Sequence, residues 1–481
     1  MPKRRFVALL MGVLLLSPAL GRAADFLEQH REARDAITLL DLWIEEQRLY
    51  HQIPGIAIGI VYDQELIWSR GYGFSDLHKR TPMTPSTLLR IGSVTKVFTA
   101  TAILQLRDGG KLALDDPITR HLSEFEIQNP FADAPEITIW HLLTHTAGLP
   151  REAAFPYWTD HEFPSRDEIV AAAAGQTLIY SPGTEYKYSN LGISLLGAII
   201  EEASGKSYRE FIESSILIPL GMDHSSVDPP VGTADNLATA YTRRRPDGSR
   251  PTMDYYETRG MAAMGSIVSS VDDMARFAAL HLRPGNSTAD GEILSTSTLR
   301  EMHRPQWVYS SWSGAIGLGF RVAPHKGQNR VWHSGWIGDH RSYLLLVPDS
   351  QVGVIVMVNA GDVSPSVFAY EALDLVGSAI EASTRIVAEN PPFDPAWEKY
   401  AGLYSDPWGW EYRVLLLTDR LILYSYDYPP RQSAETGVTH LEHVEGDRFR
   451  MSEGEFVTFE MDDQGRVVRM KRRTDYLYPV E

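Results

Sequence analysis

The sequence contains no cysteine among its 481 residues. This absence excludes disulfide bonds, thiolate metal sites, iron–sulfur clusters and cysteine nucleophiles. The chain also lacks a dense stripe of lysine and arginine, and its formal net charge is −17 at pH 7. Because nucleic acids and anionic membrane surfaces attract basic proteins, neither is a natural partner for this chain.

Apolar runs long enough to span a membrane are missing as well. The run at residues 6–16 is too short to cross a bilayer of about 30 Å. It follows Lys3, Arg4 and Arg5 and precedes small residues around Ala23, which is the pattern of a secretory signal peptide. We therefore predict that residues 1–23 are a signal peptide, that the protein is periplasmic or secreted, and that nothing remains inserted in the membrane after cleavage. An uncleaved anchor is the alternative.

The rest of the composition is that of a folded protein, with 43% hydrophobic and 22% charged residues. Two predicted hairpins lie far apart in it: Gly55–Tyr62 with Glu65–Gly71, and Arg341–Val347 with Gly353–Asn359. Both are apolar enough to share one buried sheet, and the stretch between them is mostly helical. Residues 24–388 are thus predicted to form an α+β domain, an antiparallel sheet flanked by helices with a helical subdomain.

A proline-rich stretch at residues 389–395 is predicted to be a linker. Residues 396–481 then show short strand-like runs between turns, which predicts a small all-β barrel or meander. This second unit could cap a cleft of the first, mediate oligomerisation, or bind a carbohydrate or lipid. Its aromatic side chains are expected to form barrel core rather than a ligand site; they are Trp408, Trp410, Tyr412, Tyr424, Tyr426 and Tyr428.

Ser93 and Lys96 lie three residues apart at the start of a predicted helix, Lys96–Gly109, and residues at this spacing share a helix face. A hydroxyl is a weak nucleophile unless a base takes its proton, and a desolvated lysine can serve as that base. The helix start also offers the Ser93 N–H to a developing oxyanion. On its own, the pair is better explained as a helix-capping serine beside a solvated lysine, because this spacing is common by chance.

Two further motifs carry polar chemistry. Tyr188 and Asn190 precede an apolar helix, where a tyrosine can relay protons and an asparagine can hold a substrate amide. The alternatives are a packed aromatic ring and a helix N-cap. His333-Ser334-Gly335-Trp336 comes just before the downstream hairpin, and a glycine on a strand edge lets substrate approach the backbone.

The order Ser-x-x-Lys, then Tyr-x-Asn about 95 residues later, then His-x-Gly, resembles the serine β-lactamase and penicillin-binding-protein superfamily. The resemblance covers roughly residues 35–385 and is closest to the class C-like branch of peptidases and esterases. Segments 140–150, 181–183 and 269–277 are also similar to family segments. Some relatives append a lipocalin-like domain, and Tyr400–Tyr404 is similar to the start of such a tail.

This resemblance implies that Ser93 is the acylated nucleophile and that Lys96 and Tyr188 exchange its proton. It implies an oxyanion hole made by the backbone N–H groups of Ser93 and Trp336. It assigns substrate binding to Asn190, His333, Ser334 and Gly335.

His333 departs from the lysine that β-lactamases and D-alanyl-D-alanine carboxypeptidases usually carry there, and a histidine is largely neutral above about pH 7. This favours a D-aminopeptidase-like or esterase-like serine hydrolase acting on a peptide, amide or ester. The alternatives are a β-lactamase or carboxypeptidase, and a penicillin-binding sensor that does not turn over. Activity controlled by His333 is expected to change between about pH 5 and 8.

No cofactor or metal is expected. His141 and His145 have the spacing of a zinc pair, but no glutamate follows His141, so both are interpreted as structural. No Gly-x-Ser-x-Gly motif supplies an α/β-hydrolase nucleophile. The expected partner is a small molecule or short peptide, and the oligomeric state is open.

Overall fold

A computed structural model of the chain describes residues 26–230, 232, 236–283, 293–383, 394–418, 420–425, 437–451 and 454–480. The signal peptide predicted at residues 1–23 lies outside these ranges. Most of the linker predicted at 389–395 does too, so the division into domains stays a prediction.

The larger unit is built on an antiparallel sheet that has nine strands within the described residues. In chain order these are β1 (Gly55–Tyr62), β2 (Glu65–Asp76), β3 (Thr81–Pro82), β4 (Trp307–Val308), β5 (Ala315–Ile316), β6 (Arg321–His325), β7 (Gln328–Ile337), β8 (His340–Val347) and β9 (Val352–Val358). Their order across the sheet is β3-β2-β1-β9-β8-β7-β6-β5-β4.

The two predicted hairpins meet at the centre of this sheet. β1 pairs with β9 in antiparallel register, with Ile56 opposite Val358. Every residue of β9 is buried, as is all of β1 except Tyr62, because both faces of the sheet are covered. Strands buried on both faces need continuous apolar sequence, which is what both strands have. The prediction of an antiparallel sheet joined from both ends is confirmed.

The described α-helices are α1 (Arg31–Tyr50), α2 (Thr95–Asp108), α3 (Ile139–Leu143), α4 (Tyr157–Asp160), α5 (Arg166–Ala172), α6 (Asn190–Ser204), α7 (Tyr208–Ile212), α8 (Ala262–Gly265), α9 (Val271–His281), α10 (Thr296–His303), α11 (Pro365–Ala372) and α12 (Ser378–Ser383). No helix in the described part of the chain is both long and apolar enough to cross a membrane.

The sheet separates two apolar cores. One face packs against α2, α6 and α9 through residues such as Phe98 and Phe277. The opposite face packs against α1, α11 and α12, with Trp43 and Phe368 in contact. This three-layer arrangement places the helical subdomain on one side of the sheet, as expected.

The C-terminal unit is a closed eight-stranded barrel. Its strands are β10 (Gly402–Ser405), β11 (Glu411–Leu416), β12 (Leu421–Tyr424), β13 (Val438–Glu445), β14 (Arg448–Met451), β15 (Phe456–Met461), β16 (Val467–Arg472) and β17 (Asp475–Pro479). Pairing of Tyr404 in β10 with Pro479 in β17 closes it. The prediction of a small β-barrel is confirmed.

The barrel docks on the α1 side of the sheet. Leu417, Ile422 and Tyr424 belong to the same apolar core as α1. The backbone N–H and hydroxyl of Thr418 donate to the buried carboxylate of Asp35, at 3.1 and 2.8 Å. The barrel is therefore anchored by both apolar packing and a buried polar contact.

The expectation that the barrel aromatics form its core is wrong for two of them. Trp408 is 89% exposed and Trp410 is 54% exposed, because both lie on the turn between β10 and β11. Tyr424 is buried, although at the contact with α1 rather than in the barrel interior. Tyr426 and Tyr428 lie outside the described residues.

Candidate active site

Ser93 lies in a short helical turn, Gly92–Val94, that leads directly into α2. The chain enters this turn from a short strand, Leu89–Arg90, through Gly92, whose φ is +50°. A glycine tolerates this left-handed conformation, whereas other residues are strained there. The turn brings Ser93 and Lys96 onto one face, and Lys96 Nζ is 3.1 Å from Ser93 Oγ.

Lys96 is almost fully buried, at 1% exposure. Its ammonium donates to the carbonyl of Met264 at 2.6 Å. Burial lowers the pKa of Lys96, because removing water disfavours the charged form. The neutral amine is therefore more accessible than on an ordinary lysine, and a neutral amine can accept the proton of Ser93.

Tyr188 reaches the same oxygen, since its hydroxyl lies 3.0 Å from Ser93 Oγ. Two cations flank its ring, with Lys96 Nζ 5.1 Å and the Arg151 guanidinium carbon 5.0 Å from the ring centroid. Ser93 Oγ is thus contacted by an amine and by a phenol, the two groups that the sequence resemblance assigned to proton exchange.

Asn190 is the first residue of α6, but it is not the N-cap. That role belongs to Ser189, whose hydroxyl accepts from the Gly192 N–H at 2.9 Å. The Asn190 side-chain amide instead donates to Glu152 at 2.8 Å. Its carbonyl oxygen is buried and has no partner among the described residues. Because Glu152 fixes the amide group, this oxygen is the free acceptor of the side chain.

His333 lies on β7, where buried and exposed residues alternate, and its side chain is on the buried face. Its Nδ1 is 2.8 Å from the carbonyl of Ser334, so this nitrogen carries the proton and donates it. Burial is the main cause that lowers the pKa of His333 from 6.5 to about 3. This direction argues against a His333 titration between pH 5 and 8, because burial disfavours the charged imidazolium.

Ser334 and Trp336 fall on the opposite, exposed face of β7. The Ser334 side chain thus points away from the face that carries His333, although it still lines the cavity described below. Gly335 is on the same face as His333, and a Cβ there would lie 1.9 Å from the carbonyl oxygen of Ile91. The space beside Gly335 is thus filled by the segment that precedes Ser93, which gives this glycine a packing reason, while the expected close approach of substrate stays a prediction.

The backbone of Trp336 lies against Gly92, the residue before Ser93. A Cβ on Gly92 would be 2.6 Å from the Trp336 nitrogen. Glycines at 92 and 335 therefore allow two backbone segments to pack in direct contact. This contact brings together the two segments that carry the backbone N–H groups of Ser93 and Trp336.

A cavity of about 880 Å³ opens over Ser93. Cavities of this size accept drug-sized ligands. All predicted site residues except Lys96 line this cavity. Lys96 is buried beneath its wall. None of the described barrel residues lines this cavity, which argues against the barrel as a cap.

Several residues of the site were not predicted from the sequence. Arg321 lines the cavity and donates to the hydroxyls of Tyr186 and Tyr309, each at 3.3 Å. Glu152 also accepts from the Tyr157 hydroxyl at 2.6 Å. No local motif signals such residues, because Arg321 meets Tyr186 and Glu152 meets Asn190 only in the folded chain.

No group of three or more potential metal ligands occurs in the described part of the chain. His141 and His145 use Nδ1 for contacts within the protein, His141 in the cap of α3 and His145 with the Ser189 N–H. Their side chains thus have structural partners.

A family model described as Beta-lactamase matches residues 40–377. The chain belongs to this Beta-lactamase family. The fold and the sequence resemblance agree with the assignment, and a second model, a domain of unknown function (DUF3471), matches residues 387–479.

Curated relatives align with about two thirds of the chain. Protein flp of Staphylococcus aureus (strain N315) is 28% identical over 331 residues, which is 68% of this chain and 64% of that protein. Beta-lactamase-like protein 2 of Dictyostelium discoideum is 29% identical over 353 residues, 71% of this chain and 63% of that protein. The chain spans less than two thirds of the length of these relatives.

Solved structures share the fold over more of the chain. The octameric penicillin-binding protein homologue from Pyrococcus abyssi is 28% identical, with a TM-score of 0.64 over 92% of this chain and 99% of that one. EstCE1, a hydrolase with promiscuous acyltransferase activity, is 22% identical, with a TM-score of 0.60 over 72% of this chain and 99% of that one. At this lower identity the second likeness shows the fold alone.

Proposed function

We propose that this Beta-lactamase-family protein is an exported serine hydrolase that forms an acyl-enzyme on Ser93 and cleaves a small peptide, amide or ester. The observation that carries the proposal is the position of Ser93 Oγ, 3.1 Å from the buried amine of Lys96 and 3.0 Å from the Tyr188 hydroxyl. A serine becomes nucleophilic when a neighbouring base takes its proton; the neutral Lys96 amine can act as that base, and the Tyr188 hydroxyl can relay the proton.

In the acylation step, neutral Lys96 keeps one N–H on the Met264 carbonyl and offers its lone pair to Ser93. As Oγ bonds to the substrate carbonyl carbon, the serine proton passes to Lys96, either directly or through Tyr188. The carbonyl electron pair moves onto oxygen and forms a tetrahedral oxyanion. When this intermediate collapses, the leaving group departs with the proton that Tyr188 or Lys96 returns.

The oxyanion binds between the backbone N–H groups of Ser93 and Trp336 in this proposal. The close contact of Gly92 with the Trp336 backbone supports it. A donor of this kind lowers the barrier to acyl transfer by about 3–4 kcal/mol. Deacylation reverses the proton route, with a water molecule attacking the ester and Tyr188 with Lys96 taking its proton.

Substrate selection rests on groups around the nucleophile. Asn190 presents a carbonyl acceptor, which suits an N–H donor on the substrate acyl group. His333 is neutral at physiological pH, so it supplies no cation. We therefore favour a D-aminopeptidase-like or esterase-like substrate, with Ser334 and Gly335 contributing through the strand edge.

Intact-protein mass measured over time after addition of an activated ester tests the proposal, with Ser93→Ala as control. We expect a transient adduct in the native protein and none in the variant. A permanent adduct would instead support a sensor that does not turn over. An adduct of equal size in Ser93→Ala would refute Ser93 as the nucleophile.

One observation favours a β-lactamase or carboxypeptidase as the second candidate. Arg321 is a permanent cation at the cavity wall, and no described carboxylate forms an ion pair with it. It offers a partner for a substrate carboxylate in place of the missing lysine. A pair of substrates that differ only in a carboxylate tests this in native protein and Arg321→Gln. A preference for the carboxylate that the variant loses supports the second candidate, and no preference supports the first.

Export rests on the signal-peptide pattern at residues 1–23. Mass analysis of the protein from an export-competent host tests it. We expect a mature chain beginning near Ala24, and an intact residue 1 on exported protein would contradict cleavage.

A further inference from the structure

A histidine occupies a position where helices usually end with glycine. Helix α3 has Thr144 as its C-cap, and the next residue, His145, has a φ of +57°. The His145 N–H donates to the Leu142 carbonyl at 3.2 Å, and the Thr146 N–H donates to the His141 carbonyl at 2.9 Å. This pair of bonds is the Schellman motif, in which the left-handed residue is commonly glycine and sometimes asparagine.

Left-handed backbone costs a residue with a side chain about 1–2 kcal/mol. Nothing in the helix cap itself requires an imidazole, because the cap uses only backbone groups. An unfavourable backbone conformation beside a candidate active site suggests that the side chain has a role there.

The His145 ring is buried against the segment that carries Tyr188. The two ring centroids are 4.5 Å apart, with an angle of 33° between the ring planes. His145 Nδ1 accepts from the backbone N–H of Ser189 at 3.2 Å, and the His145 carbonyl accepts from the Lys187 N–H at 2.8 Å. Residues on both sides of Tyr188 are thus held by one histidine, while its ring supports the phenol from the side.

The imidazole is also neutral. Burial, followed by the positive charge of Lys96, holds the pKa of His145 well below its usual range. A neutral ring with an unprotonated Nδ1 is the form that can accept the Ser189 N–H. The same form adds no third charge beside Lys96 and Arg151.

We propose that His145 is a positioning residue of the hydrolase, whose ring and Nδ1 hold the Tyr188 hydroxyl within reach of Ser93 Oγ. This inference rests on the proposed acyl-enzyme function. A displacement of about 1 Å in such a group lowers the rate by as much as about 100-fold. His145 is therefore a less favourable helix cap than glycine, but its side chain holds Tyr188 in position.

Two substitutions of His145 distinguish its role in the C-terminal cap of α3 from the contacts of its side chain with Tyr188 and Ser189. His145→Asn tolerates the left-handed backbone and retains a side-chain acceptor near the position of Nδ1, but it removes the ring. His145→Gly gives the best cap and removes both ring and acceptor. His141→Asn is the matched control. His141 lies four residues before His145, and its side chain belongs to the capping box at the N-terminus of α3.

Pre-steady-state acylation of the full-length protein by an activated ester is the measurement, together with the thermal midpoint of each variant. We expect acylation to slow about 10-fold in His145→Asn and about 100-fold in His145→Gly, with KM changed less than about threefold. The thermal midpoint of each variant shows whether the fold is retained after loss of the buried ring, and His141→Asn should acylate at the native rate. A merely structural histidine would leave acylation unchanged wherever the fold is retained.

A Tyr188→Phe background completes the test. If His145 acts through Tyr188, adding His145→Gly to Tyr188→Phe should lower the acylation rate by less than about threefold, because the hydroxyl that His145 positions is already absent. The inference would be overturned if His145→Gly slowed acylation about 100-fold in the Tyr188→Phe background as well. It would also be overturned if both His145 variants acylated at the native rate. Failure of the native protein to form any adduct would instead overturn the proposed function.

Discussion

The carbonyl oxygen of Ile91 lies where the side chain of residue 335 would begin. A Cβ on Gly335 would be 1.9 Å from that oxygen. The Ser342 hydroxyl donates to the same carbonyl at 2.6 Å, so the oxygen is held from a second side. The turn that carries Ser93 and strand β7 are thus fixed against each other by a backbone contact that only glycine permits.

Gly335→Ala should therefore reduce both stability and activity. Overpacking of this kind costs about 1–3 kcal/mol, and relief of the clash would move Trp336 away from Ser93. Urea unfolding and acylation rates measure the two effects. Gly175→Ala is the control, since no atom lies within 4 Å of a Cβ there. Equal behaviour of the two variants would contradict the contact.

The rate of acylation should rise with pH as Lys96 loses its proton. Because burial lowers the pKa of Lys96, the rise should be centred below the ordinary lysine value of 10.5. Lys96→Arg should abolish the acyl adduct, since a guanidinium stays protonated. The exposed Lys111→Arg should leave the profile unchanged. A profile centred at 10.5 or above would show that Lys96 is not desolvated.

His333 should not contribute to pH dependence between pH 5 and 8, because its pKa is lowered to about 3. Any change in kcat/KM over that interval should persist in His333→Gln. A titration of the His333 ring protons near pH 6.5 by NMR would show that the imidazole is hydrated instead of buried.

The buried pair His281 and His303 should make the fold sensitive to acid. Their rings are joined by a hydrogen bond of 3.2 Å, and burial lowers the pKa of His303 from 6.5 to about 3. Below pH 6.5 the unfolded state binds protons that the folded pair does not, so stability falls as pH decreases toward 3. Thermal midpoints measured from pH 7 to 4 should fall less steeply in His281→Leu/His303→Leu. An unchanged slope would assign the acid sensitivity to other groups.

Loss of the barrel contact should affect stability alone. Thr418→Val removes the hydroxyl that donates to Asp35, which should cost about 1–2 kcal/mol in the free energy of unfolding. The catalytic rate should not change, because the barrel docks on the α1 side of the sheet. Thr474→Val, at an exposed turn of the barrel, is the control. A change in kcat would indicate that the barrel communicates with the cavity.

Local sequence patterns were sufficient to predict the features that depend on neighbouring residues only. Ser93 and Lys96 share a face because three residues make about one helical turn, and the two hairpins follow from apolar runs with turns between them. The pairing of β10 with β17 that closes the barrel could not be predicted from local patterns, because Tyr404 and Pro479 are about 75 residues apart.

Long-range packing determines the remainder. The pKa of His333 depends on burial that no motif encodes, and the need for glycine at 335 comes from Ile91 on another element. The role of His145 depends on a left-handed backbone and on Tyr188, neither of which its neighbours reveal. Arg321 is recognisable only once β6 is placed beside β7.

The central pairing of β1 with β9 also sets the timing of folding during synthesis. The two strands are separated by about 290 residues, so at roughly 5–20 residues per second the first hairpin emerges tens of seconds before its partner. Until then one edge of β1 carries unpaired backbone groups, which promote aggregation. The nucleophile is likewise made long before the strand that carries Trp336. A nascent chain therefore exposes this strand edge during most of its synthesis, and the segments of Ser93 and Trp336 come together only near the end of translation of the larger unit.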